Sequence, residues 1–114
     1  MEIFSWLNNS KIVSDFSIKD LRKSDTAYYM NLRILFSDNS VLFVRDYIDF
    51  EHRKYSFHWQ DAKENLILRW DNAPHFQDLT TFPHHKHLPS GEVLESHNIL
   101  LEEILEVIEG LILP

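Results

Sequence analysis

The chain has 114 residues, 44% of them hydrophobic and 13% aromatic, and a formal charge of -7 at pH 7. That size is enough to bury a core and fits one domain, residues 1–114, while the absence of cysteine excludes disulfides and thiolate zinc sites and fits a reducing cytoplasm. The acidity argues against unspecific nucleic-acid binding, but it is uneven: Glu92, Glu95, Glu102, Glu103, Glu106 and Glu109 meet no Lys or Arg after Gly91, leaving 12 acids against 11 bases before it.

The N-terminus, MEIFSWLNNSK, lacks the basic start of a secretory signal, and no apolar run approaches the roughly 20 residues of a membrane span. Glu2 to Asn9 reads as a short helical turn on Ile3, Phe4, Trp6 and Leu7. From Lys11 to Lys23, alternation with one irregularity predicts a half-buried strand. Thr26 to Ser37 puts Tyr28, Met30, Leu32, Ile34 and Phe36 on one face. The turn Asp38-Asn39-Ser40 returns the chain into Val41 to Phe50 as a hairpin partner. Arg53 to Asp61 carries Tyr55, Phe57 and Trp59 in phase, Ala62 to Asn65 turns, and Leu66 to Trp70 follows. Consecutive strands of this kind pair side by side, giving an antiparallel meander of about five.

A polar, proline-punctuated stretch comes next, Asp71 to His87, with Phe82–Pro83 expected to be trans. Beyond it Leu101, Ile104, Leu105 and Ile108 make the buried stripe of a helix that starts between Ser96 and Asn98 and stops at Gly110. The expected fold is therefore α+β: a sheet with the C-terminal helix on one face and a His-rich loop before it.

That loop, DNAPHFQDLTTFPHHKH, holds His75, His84, His85 and His87, four of the seven histidines. Imidazole titrates near physiological pH and ligates metals, so this density points to a site. If the segment is extended, His85 and His87 point one way and His84 and Lys86 the other. Candidate catalytic residues are His84, His85, His87, His75 and His58. A base takes a ribose 2′-hydroxyl proton, an acid protonates the leaving oxygen, and Lys86 with Arg45, Tyr47 and Arg69 holds phosphate and stacked base. Arg45 and Tyr47, His58 and Gln60, and Arg69 and Asp71 are pairs within strands, and only register decides whether they share one face. Asn72 reads as a structural turn residue. No cofactor is required by this scheme; the metal alternative uses His75, His85 and His87 as three imidazoles around a transition ion.

The order KYSFHWQDAKENLILRWDNAPH, then TFPHHKH, then a leucine-rich acidic helix resembles the TumE-type toxin family, over roughly Leu32 to Ile108. The resemblance implies a toxin encoded beside an antitoxin with a helix-turn-helix DNA-binding domain, the pair forming a neutralised complex. In that family a second histidine often follows His75, where this chain has Phe76, and a glutamate often stands at Asp46. By analogy with other small toxins the expected activity is a metal-independent, histidine-dependent ribonuclease with RNA as target, a homodimer being left open. The rivals are a non-enzymatic protein-binding module and a histidine–metal hydrolase.

Overall fold

Alternating burial along the long central strands makes a sheet with one apolar and one polar face, and the helices cover the apolar one. The computed structural model describes residues 2–114. In chain order it contains α1 (Ile3–Asn9), β1 (Val13–Lys23), β2 (Ala27–Phe36), β3 (Val41–Asp49), β4 (Arg53–Gln60), β5 (Leu66–Asp71), β6 (His85–His87), β7 (Val93–Glu95) and α2 (Leu101–Ile112). The strands form one sheet in the order β1 to β7, each antiparallel to the next.

On the covered face Met30, Leu32, Ile34 and Phe36 of β2 lie beside Leu42 and Val44 of β3, then Tyr55, Phe57 and Trp59 of β4, then Trp70 of β5, all buried. Leu101, Ile104, Leu105 and Ile108 of α2 and Leu7 of α1 complete the same core. Burial of each such aliphatic side chain contributes about 1.5–3 kcal/mol, which is why the 3.6-residue stripe decides where α2 sits. Arg53 fastens the approach to α2. It holds Asp46 in a two-pronged ion pair at 2.9 and 3.0 Å and donates to Asn98 Oδ1 and the Ile99 carbonyl, while stacking over Tyr55.

The α+β class, the meander and the C-terminal helix agree with the sequence pattern; five details do not. The sheet has seven strands, not about five, because His85–His87 and Val93–Glu95 add two short rungs beyond β5. The His-rich segment is therefore a loop only from Asn72 to His84. Helix α2 begins at Leu101 rather than near Ser96 to Asn98, where Arg53 holds the chain extended, and Glu103 caps it by accepting from the Leu100 N–H at 3.3 Å. Gly110 lies inside α2, whose last turn continues because Ile112 still packs on the core. Phe82–Pro83 is cis, not trans. Strand β1 has two register irregularities instead of one, between Val13 and Asp15 and between Ile18 and Asp20.

Candidate functional site

Register settles the question the strand pairs leave open. Ser56, Asp71 and His85 stand opposite one another across β4, β5 and β6, and His58, Arg69 and His87 form the adjacent row. Arg45 faces Ser56 from β3, and Phe43 faces His58. All three pairs, Arg45 with Tyr47, His58 with Gln60 and Arg69 with Asp71, thus lie on the uncovered face, joined there by His85 and His87.

Two shallow grooves run over this face and share Arg45, Ser56 and Arg69. One, of about 360 Å³, is lined by Tyr29, Tyr47, Lys54 and Asp71 as well. The other, of about 530 Å³, adds Lys19, Asn31, Phe43 and His58. Asp71 is the one acid among these lining residues, against the cations Lys19, Arg45, Lys54 and Arg69. Arg45 and Lys54 enter no ion pair among the described residues. The carboxylates of α2 lie across the sheet, so the overall acidity does not fall on the groove.

Asp71 is the hub. Its carboxylate accepts from the Ala73 N–H at 3.0 Å, from Arg69 Nε at 3.0 Å and from His87 Nε2 at 3.1 Å, and His85 Nε2 lies 2.9 Å away. Burial pushes its pKa up, but the Ala73 N–H, His85 and Arg69 together outweigh that and hold it below the usual carboxylate value. Arg69 Nη1 donates to His58 Nδ1 at 3.2 Å, which fixes the ring proton of neutral His58 on Nε2. Burial first, and then the Arg69 charge, lower the pKa of His58; burial also lowers that of His87, with Asp71 pulling the other way.

The remaining sequence candidates are placed elsewhere. His84 and Lys86 point to the opposite face from His85 and His87, as alternation requires. There His84 stacks on Tyr55, ring centroids 5.9 Å apart, and accepts from its hydroxyl at 2.9 Å. Burial holds the Tyr55 hydroxyl protonated, its pKa pushed up to about 12, and burial also lowers that of His84. His75 is exposed in the turn after β5 and is not brought to the cluster. His85 is 1% exposed, its Nδ1 donating to the Pro83 carbonyl at 2.9 Å, so it supports the site from beneath. Phe76 packs edge-on against His85 and His87, at 4.7 and 5.8 Å between centroids. Asn72 is structural, accepting from the Tyr55 N–H and donating to the Arg53 carbonyl.

Sequence reasoning named Asp71 only as the neighbour of Arg69 and passed over Lys54 and Ser56. The signal was present: Arg69-x-Asp71 and His85-x-His87 share the two-residue spacing that lines up side chains on adjacent strands.

Fold and site define a small α+β protein with a cationic, imidazole-bearing groove on the open face of one antiparallel sheet. A family model described as Toxin TumE matches residues 3–112, nearly the whole chain, and the chain belongs to that toxin family. Membership gives it the role of a toxin and implies an antitoxin as partner. No curated protein and no solved structure gives a match. Among the described residues no helix is long and apolar enough to cross a membrane.

Proposed function

We propose that this toxin acts on RNA, in a histidine-dependent reaction at a phosphodiester bound on the open sheet face. The observation that supports it most is the cross-strand row His58, Arg69, His87. Neighbouring strands lie about 4.8 Å apart, so the two histidine backbones stand roughly 10 Å apart with the guanidinium between them, leaving room for a phosphate over Arg69. Arg45 and Lys54 extend the cationic track, and Tyr29, Tyr47 and Phe43 offer rings on which bases stack. In this reading Arg69 stabilises charge on the phosphoryl oxygens. His87, whose Nε2–H is held by Asp71, takes the 2′-hydroxyl proton on Nδ1, and His58, protonated on Nδ1 once Arg69 turns to the phosphate, gives its Nε2 proton to the leaving oxygen and returns to the neutral ring. Asp71 orients Arg69 and His87 together.

Expression of the toxin without its antitoxin then arrests growth. Relief by His58→Ala, His87→Ala or Arg69→Ala, in proteins that purify folded, is the expected result, with His75→Ala still toxic. Full arrest by folded His87→Ala and Arg69→Ala variants would overturn the reading. The partner we infer is an antitoxin with a helix-turn-helix domain. A small reading frame of that type beside this one, whose product co-purifies with the toxin and restores growth, is the expected finding.

A further inference from the structure

His85 poses a local problem that the hydrogen bonds of the fold do not solve. Its Nδ1 lies 2.9 Å from the Pro83 carbonyl, which can only accept, so that nitrogen carries the proton. In the neutral ring Nε2 is then left with a bare lone pair. It is buried, has no hydrogen-bond partner, and sits 2.9 Å from Asp71 Oδ1. Two electron-rich atoms so close in a poorly hydrated place repel each other unless a second ring proton or a metal ion lies between them, and an unpaired buried polar atom is costly.

We propose that Asp71, His85 and His87 bind one divalent first-row transition ion such as Zn²⁺. Their donor atoms lie within 4.8 Å of one another. Ligands about 2.1 Å from one ion stand at most roughly 4.2 Å apart, so small side-chain shifts bring all three into range. Two imidazoles and a carboxylate suit zinc or ferrous iron better than magnesium or calcium and leave positions open for water or substrate. Supports of the kind that orient metal ligands are also in place. The Pro83 carbonyl holds the far nitrogen of His85, the Ala73 N–H and Arg69 hold Asp71, and Phe76 walls the histidine rings on one side. His75, the third imidazole expected from the sequence, gives way to Asp71.

Asp71 lines the smaller groove, so the ion borders the surface assigned to RNA. What the ion does there rests on the RNA reading: it draws charge from a phosphoryl oxygen, makes His87 a ligand, and leaves His58 as the imidazole that moves a proton. Binding of the ion does not depend on that reading.

The test strips the full-length toxin with chelator and titrates it with Zn²⁺ by calorimetry and with Co²⁺ by visible absorption. One equivalent is expected, along with a metal-dependent rise in melting temperature. His87→Gln and Asp71→Asn are expected to weaken binding at least about 100-fold, beyond the 10–100-fold loss typical of supporting residues alone. His75→Gln keeps the full stoichiometry. His87 is chosen because its side chain is 26% exposed and tolerates replacement better than buried His85. No binding by the folded wild type, or equal affinity in folded His87→Gln and Asp71→Asn, overturns the site. RNA cleavage absent while one ion binds would instead overturn the RNA reading and leave the metal site standing.

Discussion

Replacing Asp71 with Ala removes the acceptor on which three elements converge. The side chain is 5% exposed and takes bonds from the Ala73 N–H, Arg69 and His87. Hydrogen bonds to a buried charge contribute about 1.5–3 kcal/mol each, but Arg69 and His87 are part-exposed and each counts for about 1 kcal/mol at most. The expected loss is therefore roughly 3–4 kcal/mol, or about 12–16 °C in melting temperature for a chain of this size. Asp71→Asn, which keeps an acceptor for the Ala73 N–H, is expected to lose about half as much. Urea unfolding followed by tryptophan fluorescence, with chelator present throughout, measures both variants. A loss below about 1 kcal/mol for Asp71→Ala would refute the assignment of Asp71 as the hub.

Arg53→Ala leaves Asp46 without its partner and frees Asn98 and Ile99 at the start of α2. A loss of about 3 kcal/mol is expected by the same unfolding assay, with α2 amides exchanging faster than those of β2 and β3. Acidification should destabilise the chelated protein, because the folded-state pKa values of His58, His84 and His87 are all lowered. The unfolded chain binds more protons in that window, so melting temperature stays level above pH about 6.5 and falls below it. A melting temperature that rises from pH 7 to pH 5.5 would contradict this. Arg45→Ala should weaken binding of single-stranded RNA without regard to sequence and reduce the log–log salt slope by about 0.7 in a fluorescence anisotropy titration.

The long alternations were legible because burial follows them residue by residue: Met30 to Phe36 and Tyr55 to Trp59 each show their apolar face in the sequence and bury it in the fold. Strand β6 was not, since three residues after a proline are too short to show a period, and what makes them a strand is the distant ladder to Arg69–Asp71. The start of α2 escaped for a similar reason. Arg53, some 45 residues away in sequence, holds Asn98 and Ile99 extended where local capping signals favour helix. Histidine density pointed to the segment that carries His85 and His87 onto the candidate face, and alternation separated His84 from both. The convergence of Arg69, Asp71 and His58 on His87 depended on strand register, which no local pattern encodes.

The most direct test of a reactive centre on the open sheet face is the rate at which purified toxin cuts a labelled single-stranded RNA, compared with folded His58→Ala and Arg69→Ala proteins. Cleavage by the wild type that falls at least about 100-fold in each variant, and is unchanged by Glu106→Gln on the far side of the sheet, is the expected result. Equal cleavage by all of these proteins, or none by a wild type that still arrests growth, would contradict it.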